Sequence, residues 1–280
     1  MDTIDALILG IVQGLAEYLP ISSSGHLEIF REILGLQMNG ADSLQFDVIL
    51  HVATVLSTIV VLWNRFVPLC GALFCWRSNT PEFSYVWKLV VSAIPVAIVG
   101  FCFKDFIESF FGTDLMIVGI CLCVTALLLC LAYFTRTEPS LYNKKHHGPR
   151  TYMPRDISWW DAVVIGIAQA IAVLPGLSRS GTTIATGILL GDKREQVARF
   201  SFFMVIIPIM GEALLDCLKL MKGEALGSEA IGAIPMIVGF LAAFIVGCAA
   251  CRWMLSIVAN GRLVWFALYC VAVGVLCICW

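Results

Sequence analysis

Two stretches gather the side chains able to do chemistry. The first reads Gln13-Gly14-Leu15-Ala16-Glu17-Tyr18-Leu19-Pro20-Ile21-Ser22-Ser23-Ser24-Gly25-His26, and the second Pro175-Gly176-Leu177-Ser178-Arg179-Ser180-Gly181-Thr182-Thr183. On a helix, Gln13 and Glu17 lie four apart and share a face. A serine beside a histidine can be activated as a nucleophile, with the imidazole taking the proton; Ser23 and His26 have that spacing. A serine run ending in glycine presents backbone N–H groups at a helix start, a natural seat for an anion. Ser22, Ser24 and Gly25 fit that role. In the second stretch, Arg179 carries a planar fork suited to phosphate or carboxylate. Ser178, Ser180, Gly181 and Thr182 surround it with further donors. Acid, base and nucleophile in one stretch, cation and donors in the other, describe transfer or hydrolysis of a phosphate ester or anhydride. Glu17 is also the candidate metal ligand, able to hold Mg2+ against substrate oxygens. Blander roles compete. Ser22 or Ser23 can simply cap a helix, and Arg179 can simply neutralise Glu17. Capping alone explains neither His26 nor Glu17.

The elements around these stretches are membrane elements. The 280 residues are 60% hydrophobic and 14% charged, where a soluble domain carries about 25% charged residues. Stretches such as 115–134 and 263–280 reach the roughly 18–20 apolar residues that cross a bilayer. Six full spans are predicted at about 45–65, 86–103, 115–135, 196–221, 229–251 and 262–280. Residues 3–36 and 158–190 are apolar but interrupted near the middle by Pro, Ser and Gly, so each reads as two short helices that enter the membrane and turn back. Broken backbone at that depth is tolerated only where protein buries it or water reaches it. An ionised group there costs about 2.5–3.5 kcal/mol, so Glu17 needs a partner, a metal or water.

The two broken regions resemble each other. Gly10, Gln13, Ser22, Ser24 and Gly25 recur as Gly166, Gln169, Ser178, Ser180 and Gly181, all displaced by 156 residues. Downstream, Ala93-Ile94-Pro95 is echoed by Ala233-Ile234-Pro235. Each half reads as one broken pair followed by three spans: 1–135, then a cytoplasmic linker at 136–157, then 158–280. Three is odd, so the second half starts on the opposite side and the repeat is inverted in topology. The expected fold is an all-α polytopic membrane protein of six full transmembrane helices plus two broken re-entrant pairs.

Charge orients it. With the linker inside, thirteen of the eighteen Lys and Arg fall on the inner side and four on the outer. That asymmetry places both termini outside. His146 and His147 belong to the basic linker and need no phosphate-binding role. The N-terminus lacks the basic start of a signal peptide. The twelve cysteines sit mostly in apolar segments and read as small buried hydrophobes, including Cys248 and Cys251, taken to end a membrane helix. Asp47 and His51, four apart, are candidates to extend the site. Glu212 and Asp216 are expected to face a packed or wet interior, with no role.

The boxes Gln13-Gly14-Leu15-Ala16-Glu17, Pro20 to His26 and Pro175 to Gly181 together resemble the bacterial undecaprenyl-diphosphate phosphatases, the bacitracin-resistance family. The resemblance covers nearly the whole chain. It implies removal of the terminal phosphate from undecaprenyl diphosphate, which recycles the lipid carrier of cell-wall peptidoglycan synthesis. It implies functional roles for Glu17, Ser23, His26 and Arg179, a divalent cation (Mg2+ or Ca2+), and a site opening to the outer face of the bacterial plasma (inner) membrane. Gln13 stands where many members have Glu, which weakens the case for a two-carboxylate metal site. In the expected division of labour, Arg179 and the loop amides hold the diphosphate. Ser23, or a water near it, attacks; His26 shuttles the proton; Glu17 binds the metal or orients His26. The rival is a transporter or flippase for an anionic prenyl phosphate lipid. The expected partners are the membrane and the prenyl diphosphate lipid, not nucleic acid, with a homodimer left open.

Overall fold

The computed structural model describes residues 1–36, 40–76, 78–103, 115–135, 156–221 and 231–280. All the elements among them are helices. In chain order they are α1 (Thr3–Ala16), α2 (Ser23–Ile33), α3 (Gly40–Val61), α4 (Trp63–Phe74), α5 (Pro81–Cys102) and α6 (Leu115–Phe134). There follow α7 (Trp159–Ile171), α8 (Arg179–Leu190), α9 (Arg194–Met204), α10 (Ile206–Met221), α11 (Ala233–Ala259) and α12 (Val264–Cys279). Four stretches are long and apolar enough to cross a membrane: α5, α6, Arg194–Leu215 and α11. The chain is a multi-pass membrane protein.

The broken regions break where the Pro, Ser and Gly stand. α1 opens on a capping box in which Asp2 serves the first amides and Asp5 reaches back to the Asp2 amide. α7 opens on the same box, built from Ser158 and Asp161. α2 and α8 then start on Ser22 and Ser178, whose hydroxyls accept from the Gly25 and Gly181 amides. Such caps satisfy amides that the first turn leaves orphaned.

Three of the spans differ from their sequence reading. The span expected at 45–65 stops at Val61, and the chain turns by 93° into α4. α4 was not anticipated. Trp63, Val67, Leu73 and Phe74 are exposed on it. The span expected at 196–221 is two helices parted at Val205. Pro208 explains the break, because its ring clashes with the carbonyl of Met204 and it donates no hydrogen bond there. The span expected to end at Cys251 runs on to Ala259, where Gly261 takes φ +68° and stops it. Cys248 and Cys251 are free thiols within that helix. Glu212 is exposed and does not face a packed interior. The side chain of Asp216, the residues His146 and His147, and most of the linker lie outside the described residues.

Small residues set how the helices cross. α1 lies on α11, where a Cβ at Gly14 would stand 2.7 Å from the Ala243 carbonyl oxygen. α7 lies on α5, where a Cβ at Gly166 would stand 2.5 Å from the Ser92 carbonyl oxygen. α6 and α12 meet at Gly119 and Gly274, each opposite the other's carbonyl. Close approach at small residues is how membrane helices gain packing without a hydrophobic drive between them. The largest buried cluster among the described residues joins α7, α8 and α9 to the C-terminal half of α11.

Candidate active site

Glu17 is where the contacts converge. It follows the last turn of α1 and is only 9% exposed. One carboxylate oxygen takes the Arg179 guanidinium. The other accepts from Gln13 Nε2 at 2.9 Å and from Ser23 Oγ at 2.9 Å, and faces His51 Nε2 at 3.5 Å. A carboxylate taken from water is tolerable only when partnered in this way. The four-residue spacing of Gln13 and Glu17 places both on one face of α1, as the sequence predicts.

The two breaks touch. A Cβ at Gly25 would stand 3.1 Å from the Gly176 Cα, and one at Gly181 would stand 3.1 Å from the Pro20 Cβ. Ser180 Oγ donates to the Leu19 carbonyl at 3.2 Å. Ser22 Oγ lies 3.4 Å from Ser24 Oγ, and Ser178 Oγ lies 3.4 Å from Ser180 Oγ. Thr182 is buried, and its hydroxyl has no hydrogen-bond partner among the described residues. Of the two readings weighed for Arg179, the structure shows its pairing with Glu17.

His26 is engaged elsewhere. Its Nδ1 lies 2.8 Å from the Ser22 carbonyl and its Nε2 lies 2.7 Å from the Tyr269 hydroxyl. The carbonyl can only accept, so Nδ1 carries the proton and Nε2 accepts from Tyr269. The two rings stack with centroids 5.6 Å apart. No hydrogen bond joins Ser23 to His26; the contact of the Ser23 hydroxyl is with Glu17.

Asp47 and His51 divide. His51 is held by its Nδ1, 2.7 Å from the Asp47 carbonyl, and turns Nε2 to Glu17. The Asp47 carboxylate instead pairs with Arg31, which also holds Glu28 at 3.0 Å. Sequence reasoning missed three supports. Tyr18 donates to the Thr54 carbonyl at 2.6 Å and so ties the first break to α3. Thr125 on α6 accepts from the Ser178 amide at 3.0 Å. Tyr269 is the third, and the signal for it was present: it is the only hydroxyl-bearing residue in 262–280.

The donors suit a metal held partly by substrate. Among the described residues no three acidic, His or Cys side chains gather as ligands. Gln13 Oε1, however, is buried beside Glu17 without a partner. Mg2+ commonly takes one or two carboxylates and completes its shell with phosphate oxygens and water. One carboxylate and one amide oxygen beside an anion seat fit that pattern.

Comparison with known proteins identifies the family. The family model described as bacitracin resistance protein BacA matches residues 6–276. The chain belongs to that family. A protein of Bacteroides thetaiotaomicron named undecaprenyl-diphosphatase is 50% identical over 277 residues, covering 98% of this chain and 97% of its own. Proteins of the same name from Christiangramia forsetii and Oceanobacillus iheyensis are 44% and 36% identical over 276 and 277 residues, covering 98% and 96% of this chain and 96% and 93% of their own.

Proposed function

We propose that the chain hydrolyses undecaprenyl diphosphate to undecaprenyl phosphate and inorganic phosphate, recycling the lipid carrier for cell-wall synthesis in the bacterial inner membrane and so opposing bacitracin. The observation that carries the chemistry is Ser23 Oγ donating to one oxygen of Glu17 while Arg179 holds the other. Glu17 is therefore the group placed to take the Ser23 proton. Either Ser23 attacks the terminal phosphorus, the bridging P–O bond breaks and a water then cleaves the phosphoseryl bond to release inorganic phosphate and restore the serine, or a water held by Ser23 attacks and gives inorganic phosphate in one step. Prenyl phosphate leaves. Arg179 turns from Glu17 to the equatorial phosphate oxygens, where a fixed cation stabilises developing charge. The hydroxyls of Ser22, Ser24, Ser178, Ser180 and Thr182 form the anion seat, joined by the Gly25 and Gly181 amides when these leave their serine caps for the phosphate. His26 stands one turn from Ser23; released from Tyr269 and protonated at Nε2 as well, the imidazolium donates to a phosphate oxygen. Glu17 and Gln13 would hold Mg2+, which when bound supplies charge neutralisation at the diphosphate.

The same reading takes the chain as two inverted repeats with six full spans, both termini outside and the site opening to the outer face. Exchange of packing partners supports it: α1 lies on α11, and α7, its counterpart, lies on α5. Contacts among residues counted as inner support their lying on one common side. Lys88 reaches the Ile157 carbonyl at 2.8 Å, Lys193 reaches Asp156 at 2.7 Å, and Arg194 reaches the Thr135 carbonyl at 3.4 Å.

The test is phosphate release from undecaprenyl diphosphate by purified protein, with and without Mg2+, beside Ser23→Ala, His26→Ala and Arg179→Ala. Wild-type rates from all three variants would refute this site. Lipid movement across liposomes without phosphate release would favour a transporter.

A further inference from the structure

All eight tryptophans are exposed, the least so Trp87 at 38%. Seven of them gather at one end of the molecule, and contacts trace that end from helix to helix. The Lys88 ammonium of α5 stands 5.7 Å from the centre of the Trp159 ring, at the start of α7 beside Trp160. Phe83 of α5 lies edge-on to Trp76 at 5.3 Å and to Trp87 at 6.2 Å. Phe203 of α9 meets Tyr85 of α5 and stacks on Phe66, the ring neighbour of Trp63. A Cβ at Gly261, between α11 and α12, would stand 2.7 Å from Arg194 Nη1 at the start of α9. Trp253 lies about two turns before that junction, and Trp265 lies in the first turn after it. Only Trp280 stands at the other end, where Ile278 approaches Gly119 near the start of α6. Three of the seven sit within three residues of an exposed arginine: Trp63 of Arg65, Trp253 of Arg252 and Trp265 of Arg262. Among the described residues none of these arginines makes an ion pair. The exposed acids described at that end are engaged, Asp156 by Lys193 and Glu195 by Arg199. At the opposite end the one Arg or Lys whose side chain is described is Arg31, buried and paired with Glu28 and Asp47.

We propose that this end is a collar that binds anionic phospholipid, with Arg65, Arg252 and Arg262 each taking a headgroup phosphate at the level of its tryptophan. The amphipathic tryptophan ring settles at the boundary between hydrocarbon and water, so a ring of seven marks where that boundary meets the protein. An arginine at the same level reaches the phosphodiester layer, and its planar fork suits a phosphate. With no acid beside it, its charge is left for the lipid to neutralise. A zwitterionic headgroup carries the same phosphodiester but brings its own cation, so the collar discriminates by net charge. The assignment holds whichever face of the membrane this end meets, and it does not depend on the reaction proposed above.

Tryptophan fluorescence reads the collar directly, because seven of the eight emitters stand in it. Full-length protein is placed in phosphatidylcholine bilayers with a rising share of brominated phosphatidylglycerol, and in the mirror mixture with the bromine on phosphatidylcholine. Bromine quenches the tryptophans it touches, so the two curves give the relative affinity for the two headgroups. A basic residue at the surface contributes about fivefold to holding an anionic lipid, and the wild-type protein is expected to prefer phosphatidylglycerol by about that factor. Arg65→Gln, Arg252→Gln and Arg262→Gln together are expected to bring the preference to within about 1.5-fold of unity, while the same three changed to Lys keep it. If the glutamine set fails to fold, salt takes its place: at about 1 M the screening length is about 3 Å, and the wild-type preference is expected to vanish. Equal quenching of the wild-type protein by both lipids would overturn the assignment, as would a preference that survives the glutamines or the salt.

Discussion

At the start of α2, Ser22 Oγ accepts from the Gly25 amide at 3.2 Å; at the start of α8, Ser178 Oγ accepts from the Gly181 amide at 3.1 Å. The offset of 156 residues that joins these caps also joins the starts of α1 and α7. Within this common frame three of the candidate site positions differ in kind. Glu17 stands opposite Val173, Ser23 opposite Arg179, and His26 opposite Thr182. One copy keeps the acid and the hydroxyl, the other keeps the cation, and the copies touch. The backbone differs once. The left-handed residue is Gly176 (φ +87°) in the second break and Ser22 (φ +70°) in the first. Pro20 occupies the place of Gly176, and a proline cannot take a positive φ. The reversal therefore falls on Ser22, where a side chain resists it. Two breaks built on the same serine caps thus carry different side chains, at the expense of one strained residue.

The comparison is broken most severely by exchanging its charges. Glu17→Arg with Arg179→Glu is expected to keep the ion pair and the fold while phosphate release falls on the order of a thousandfold, because a carboxylate then occupies the anion seat. Either substitution alone buries an unpaired charge and costs about 3–5 kcal/mol. Thermal melting beside phosphate release separates the two outcomes. Gly176→Ala comes next. It places a Cβ 2.7 Å from the Val118 backbone at a positive φ and is expected to cost about 2–3 kcal/mol of stability. A third pair sharpens the asymmetry. Ser22→Gly relieves a left-handed residue and is expected to raise stability by about 1 kcal/mol, since glycine caps nearly as well. Ser178→Gly has no such strain to relieve and is expected to lower it by a few tenths of a kcal/mol. Equal melting shifts from the two would contradict the strain argument. The smallest effects belong to the third differing position. Tyr269→Phe removes the His26 hydrogen bond and is expected to cost about 1 kcal/mol. Thr182→Val removes an unpartnered hydroxyl and is expected to stay within about 0.5 kcal/mol. Its effect should appear instead as a raised KM for the diphosphate.

Much of this was legible in the chain because it depends on local chemistry. The Gln13–Glu17 pairing follows from helical spacing, the breaks follow from Pro and Gly, and the serine caps follow from their place before each short helix. What was hidden depends on which helix meets which. Nothing near His26 in sequence foretells Tyr269, 243 residues away, and the expected Ser23–His26 pair gave way because α12 supplied a hydroxyl at bonding distance. The 93° turn at Leu62 was missed because the apolar run continues across it. The break at Val205 was missed although Pro208 marked it, since a proline within a membrane helix often leaves the span intact.

The Glu17–Arg179 contact spans 162 residues of chain, and this has a bearing on how the protein is made. Synthesis adds about 5–20 residues per second, so Glu17 leaves the ribosome roughly ten to thirty seconds before the arginine that neutralises it. During that interval Gln13 and Ser23, both available at once, are the local donors that keep the nascent carboxylate from being a bare charge in the insertion machinery.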